Sequence, residues 1–306
     1  MNMQIVTVGT FVYALTWSCI LSLTAIGITL LYRTTRVPNF AHASFVTNGV
    51  YAAVIAWILG LHPYMGIPLG FIISGIEAVI LFYVLLEPLR RRRASIFLLM
   101  IATFSFDILW YGFQNILADV LQYEFKILSR SIYFAKLDFE FLGLKGVTLV
   151  SLVVFIVTFL ALQIILYRTN TGIALRACME NPSLALTLGI DVTKMLLLSW
   201  FIAGATAGVA GALMTFYMMC NTFTGTFLVA EMFCASIVGG LGYLYGAPLG
   251  SFLVGFAKVF LLSIVAAIIG PTVINYAMAV PLIVLVVTFA FLPEGLASIR
   301  IRRGGA

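Results

Sequence analysis

A chain of 306 residues that is 63% hydrophobic and only 9% charged is not a soluble domain; it reads as a polytopic membrane protein. The net charge of +6 does not indicate a nucleic-acid partner, because the basic residues fall mostly in short loops between apolar runs. The four cysteines (Cys19, Cys178, Cys220, Cys234) are too scattered for a disulfide framework or a metal site.

Nine apolar segments follow in chain order, at about 10–32, 42–60, 65–86, 96–118, 147–167, 194–218, 227–243, 247–268 and 272–291. The first follows neither a basic region nor a small-residue cleavage site, so it reads as a retained span rather than a signal peptide. The seventh is short enough to be re-entrant. The loop Asp119–Gly146 is the one long outer segment. Ile132, Phe134, Leu137, Phe139 and Phe141 alternate with other residues there, which predicts a short hairpin against the membrane surface or a partner-docking loop. Twelve of the 17 Lys and Arg lie in the loops on one side, among them Arg33, Arg36, Arg90 to Arg93, Arg168, Arg176, Lys194, Arg300, Arg302 and Arg303. The positive-inside rule then predicts an N-terminus outside and a C-terminus in the cytoplasm, with nine crossings of the cell membrane.

Residues 168–193 are polar and well punctuated. Gly172 opens a helix over Ile173–Glu180, Asn181-Pro182 caps and starts a second, Gly189 stops it, and Asp191 caps the next span above Lys194. Two short helices would then lie along the cytoplasmic face. Arg176, Glu180 and Asn181 would be on the exposed faces, and Leu184, Ala185 and Leu188 would be apolar anchors for a groove. An interfacial amphipathic loop is the plainer reading. In the following span, Gly204, Gly208 and Gly211 lie in a run of small residues that admits another helix closely.

Gly66-Ile67-Pro68-Leu69-Gly70 recurs 180 residues later as Gly246-Ala247-Pro248-Leu249-Gly250, and Gly60/Gly240 and Gly75/Gly255 share the offset. The repeat pairs the third span with the eighth, an odd number of crossings apart, so its copies point in opposite directions. An inverted repeat follows, with halves at about 10–118 and 194–291 inside one transmembrane domain spanning 1–306. Four ionisable residues fall within spans: Glu77, Asp107, Glu231 and Lys258. Charges at that depth face the bundle interior, paired or wet. Lys258 is expected to be the buried partner of Glu77 or Asp107; the alternative is a proton relay or a solute pathway, the latter also including Asn39 and His42. No constellation of nucleophile, base or metal ligands suggests an enzyme.

Several segments resemble the permeases of branched-chain amino-acid ABC importers. Gly172 to Ile190 is similar to that family's Gly-x-x-x-Arg-Ala-x-x-x-Asn/Asp…Ala-x-x-x-Gly-Ile pattern. Asn39-Phe40-Ala41-His42 is similar to its Asn-Phe-Ala-His motif, although Ala43 stands where the family usually has Gly. Val238-Gly239-Gly240-Leu241-Gly242 with Gly246–Gly250 resembles its glycine-rich run, and Leu292-Pro293-Glu294-Gly295-Leu296 its ending. The resemblance covers about 10–60 and 168–300. It implies an all-α permease subunit with no cofactor of its own. The partners it implies are two cytoplasmic ATP-binding subunits, a second related permease and an extracytoplasmic solute-binding protein. In that reading Gly172, Arg176, Ala177, Glu180, Asn181, Ala185 and Gly189 couple the chain to the ATPase. The sequence has no Gly-x-x-x-x-Gly-Lys-Ser/Thr phosphate loop, so any ATP would be bound elsewhere. The alternative is a secondary transporter or channel that uses Glu77, Asp107 and Lys258 for ion coupling.

Overall fold

In lipid the backbone must satisfy its own hydrogen bonds, so an apolar chain of this kind resolves into helices. The computed structural model describes residues 8–141 and 143–298. Its helices are α1 (Val8–Thr35), α2 (His42–Ile58), α3 (Gly66–Ile80), α4 (Glu87–Arg91), α5 (Ile96–Phe125), α6 (Gly146–Arg168), α7 (Asn170–Glu180), α8 (Pro182–Thr187), α9 (Val192–Tyr217), α10 (Thr224–Gly239), α11 (Gly246–Ile269) and α12 (Ala279–Phe291). A π-helical turn, Leu81–Leu86, joins α3 to α4 without a break. Among the described residues, seven helical stretches are long and apolar enough to cross a bilayer, and α2 and α10 are shorter apolar helices. All nine overlap predicted segments, though α10 begins and ends a few residues before the seventh. The last differs at its start: Gly270, at φ 115°, is followed by a 3₁₀ stretch, Pro271–Tyr276, before α12 begins. The C-terminal Arg300, Arg302 and Arg303 lie outside the described residues.

The described residues divide into two compact units, one of residues 8–29, 138–141, 143–155 and 230–298 and the other of 30–137 and 156–229. These do not follow the sequence halves. In the second unit, α9 packs against α2 and α3 through small residues. A β-carbon on Gly208 would fall 2.2 Å from the Gly70 carbonyl oxygen, and one on Gly204 would fall 2.3 Å from that of Ser74. Backbones approach this closely only where side chains are absent. A β-carbon on Gly75 would strike the Phe201 ring at 2.7 Å.

In the first unit α10 and α11 make the same kind of contact, with Gly250 against Ala235 and Gly246 against Gly239. Here a β-carbon on Gly255 would meet Ser18 of α1, its hydroxyl 2.3 Å away. Gly240 (φ 100°) turns the chain after α10, as Gly60 (φ 76°) does after α2. The Gly295 turn packs on it, leaving no room for a side chain at either position.

The loop after α5 is only partly a hairpin. β1 (Glu140–Phe141) pairs antiparallel with β2 (Leu144–Lys145) in the first unit. In the second unit Ile132 instead exchanges two 2.8 Å backbone hydrogen bonds with Cys220, and Phe134 N–H donates to the Thr215 carbonyl. The alternation of 132–141 therefore combines two pairings with different partners. All four cysteines are buried and free.

Candidate functional site

The segment after α6 is built as its punctuation predicts, with one shift. Thr169 rather than Gly172 caps α7, its hydroxyl accepting the Gly172 N–H at 3.1 Å. Gly172 lies inside the first turn because α7 folds back on the end of α6, where a β-carbon would fall 2.0 Å from the Ile165 carbonyl oxygen. Asn181 Oδ1 accepts the Leu184 N–H at 3.0 Å and Pro182 opens α8. Gly189 (φ 78°) turns the chain, and Asp191 caps α9 by accepting the Lys194 N–H at 3.1 Å. That bond, together with the Lys194 ammonium at 3.2 Å, holds the Asp191 carboxyl below its ordinary range.

The surface this segment presents differs from expectation in two residues. Arg176 is half-buried with its guanidinium 4.9 Å above the Tyr167 ring, so it packs on its own chain. Ala185 is 1% exposed and is a core residue of the segment. Ala177 is half-buried, while Glu180 and Asn181 are exposed. Ile173, Leu184, Leu186 and Leu188 stand outward, with Leu188 70% exposed. Leu186 and Ile173 were not among the predicted anchors. Their signal was an apolar residue on a short capped helix, which sequence alone cannot orient. Burial raises the Cys178 thiol above its ordinary range.

A second constellation lies within the second unit. Asn48 of α2 donates from Nδ2 to Glu77 Oε2 of α3. Asn48 Oδ1 accepts from Trp110 Nε1 at 3.2 Å and from Gln114 Nε2 at 2.9 Å, both on α5. Gln114 also donates to the Ser44 carbonyl at 3.0 Å, and the Ser44 N–H donates to Asp107 Oδ1 at 3.1 Å. Ser44 and Asn48, one turn apart, thus bring both acids to one face of α2. At the start of α2, Phe40 N–H donates to Thr103 Oγ1 at 3.3 Å, and Asn39 and His42 are both buried. His42 meets the Phe45 ring edge-on at 5.8 Å. The sequence reading missed Asn48, Gln114 and Trp110, although two polar amides inside apolar segments were a usable signal.

Lys258 does not pair with Glu77 or Asp107. Its ammonium donates to Glu231 Oε2 at 2.6 Å, and Trp17 Nε1 donates to Glu231 Oε1 at 2.7 Å, all within the first unit. The ammonium also lies 4.6 Å from the centre of the Trp17 ring. Glu231, on α10, comes within reach because α10 and α11 pack as an adjacent pair through glycines.

Comparison with known proteins gives this geometry a family. The family described as "Branched-chain amino acid transport system / permease component" matches residues 10–289. The chain belongs to this family. The permease is 39% identical over 287 residues to a protein of Methanocaldococcus jannaschii named a probable branched-chain amino acid transport permease protein LivH, covering 94% of this chain and 91% of that one. It is 28% identical to the high-affinity branched-chain amino acid transport system permease protein LivH of Escherichia coli K12, covering 78% and 80%. A chain in the solved structure of PsaBC from Streptococcus pneumoniae in complex with Fab superposes with a TM-score of 0.51 at 13% identity, covering 93% of the permease and 92% of that chain. That likeness concerns fold alone. The permease is therefore an all-α, polytopic membrane transport subunit and not an enzyme. Among its described residues no group of three His, Cys, Asp or Glu could hold a metal.

Proposed function

We propose that the permease moves branched-chain or related small amino acids across the cell membrane as one subunit of an ATP-driven importer. ATP is bound and hydrolysed on two separate cytoplasmic subunits. A second related permease completes the path, and an extracytoplasmic protein delivers the solute. The N-terminus lies outside and α7–α8 lie in the cytoplasm. The two transmembrane halves form an inverted repeat that rocks around the path.

The observation that carries this reading is the apolar outer edge of α7–α8. Ile173, Leu184, Leu186 and Leu188 are exposed on two short helices whose ends are fixed by Thr169, Asn181 and Asp191. Such spaced anchors suit a groove on a soluble partner. The names of the Methanocaldococcus and Escherichia relatives support the solute class. The secondary-transporter reading loses support because its ion-coupling trio is not assembled: Lys258 is engaged by Glu231.

The test is a Leu184→Glu, Leu188→Glu double variant in the complete importer. Burying one leucine contributes ~1.5–3 kcal/mol, so losing two should weaken ATPase binding well over tenfold. Vesicle uptake should fall with it while the permease stays folded. Full ATPase binding and full uptake by the double variant would remove the coupling role.

A further inference from the structure

Among the described residues, four carboxylates within the membrane helices are buried: Glu77, Glu87, Asp107 and Glu231. Two of them have their countercharge built in. Glu87 accepts from Arg90 at 2.7 Å and Arg91 at 2.8 Å, and Glu231 accepts from Lys258 at 2.6 Å. No Lys, Arg or His among the described residues forms an ion pair with Glu77 or Asp107. Their bonding partners are neutral: the Asn48 amide and the Ser44 N–H.

The orientation of Asn48 is fixed by chemistry. An indole N–H only donates, so the Asn48 atom facing Trp110 must be the oxygen. The amide nitrogen then faces Glu77 Oε2, and Glu77 Oε1, on a side chain 98% buried, has no hydrogen-bond partner. A second buried polar group is also unengaged. Asn39, 2% exposed, leaves both Oδ1 and Nδ2 without partners, next to the Phe40 N–H that binds Thr103 one turn before Asp107. Unmatched polar atoms of this kind are costly in a membrane interior unless something else meets them.

We propose that the Glu77–Asp107 cluster seats the protonated amino group of the transported amino acid. This rests on the amino-acid reading above. A zwitterion entering a low-dielectric path needs its positive end matched. A primary ammonium brings donors and no acceptor, which complements two carboxylates, one of them with an unpartnered oxygen. A multivalent metal ion is a poorer fit, since no third His, Cys, Asp or Glu joins the two acids among the described residues. The site recognises a group common to all amino acids, so discrimination between side chains falls to other contacts.

The experiment uses the complete importer in proteoliposomes, with radiolabelled L-leucine as probe, saturating binding protein, and the isosteric variants E77Q and D107N. Each keeps hydrogen-bonding capacity and removes one charge. Losing a charge-assisted hydrogen bond should lower the uptake rate about tenfold or more, with ATPase assembly and melting temperature as in the parent. E77D, which keeps the charge, should retain intermediate uptake and guards against a folding defect. Parental uptake rates in both E77Q and D107N would overturn the ammonium site and leave the amino-acid reading standing. A parent that takes up no leucine would overturn both. If a lumenal pH probe shows parental proton influx accompanying leucine that E77Q abolishes, the cation is a proton, and the ammonium assignment falls.

Discussion

A lysine in a membrane helix is tolerable when its charge is met on more than one side. Lys258 is met by the Glu231 carboxylate and by the face of Trp17, and Glu231 is bonded to both of them. Removing one partner of a buried pair typically costs ~3–5 kcal/mol, because the other charge is stranded. Lys258→Met should therefore lower the melting temperature of the detergent-solubilised permease markedly. Adding Glu231→Gln should recover much of the loss, whereas adding Glu77→Gln should recover none. Recovery with Glu77→Gln would mean that Lys258 is partnered as the sequence suggested. That suggestion failed for a specific reason. Sequence identifies which residues are charged and at what depth. The pairing depends on which helices pack side by side, and Glu231 and Lys258 belong to adjacent helices, α10 and α11.

At the scale of elements, the glycines were more legible than the charges. The small-residue run of α9 marked a close helix contact, and its partners are α2 and α3, through Gly49, Gly70 and Ser74. Gly208→Val should abolish stable expression, since even a β-carbon there would sit 2.2 Å from backbone. Gly112→Ala, on α5 with nothing within 4 Å of its added carbon, should express at parental levels. Equal yields of the two variants would deny the contact its role. The glycines that share the offset of the proposed repeat also make close contacts. Gly75 on α3 meets Phe201 of α9, and Gly255 on α11 meets Ser18 of α1. Within each unit, the first helix of one proposed half thus packs against the third of the other half. No local pattern in the chain announces such an exchange, which is why the compact units differ from the sequence halves.

For the whole molecule, orientation is the property most directly tied to function, because α7–α8 can meet an ATPase only from the cytoplasm. The basic residues around the loops predict it. Ser183 on α8 and Ser131 in the loop after α5 are both exposed. Ser183→Cys should react with an impermeant thiol reagent only from the cytoplasmic side, and Ser131→Cys only from outside. Labelling of both from one side would contradict the nine-crossing arrangement. The order of the apolar helices was readable because bilayer thickness sets a length that composition reveals. The polar interior was not, because Asn48 gains its meaning only when Trp110 and Gln114 are placed against it.

The π-helical turn at Leu81–Leu86 has a consequence for helix phase. A π-turn holds one residue more than an α-turn, and each α-helical residue advances the side chains by about 100°. Everything after it on this helix is therefore rotated by about a quarter-circle relative to an unbroken α-helix. Glu77 lies before the turn and bonds Asn48; Glu87 lies after it and bonds Thr193 at 3.1 Å as well as Arg90 and Arg91. One helix thus aims two acids along independently set directions, one toward the Asn48 amide and one toward arginines. Deleting Val84, which is 66% exposed, should restore α-helical phase and swing Glu87 away from α9. Cysteines at positions 87 and 193 should then cross-link in the parent background and not in the deletion. Undiminished cross-linking would mean that the later segment keeps its angle without the extra residue.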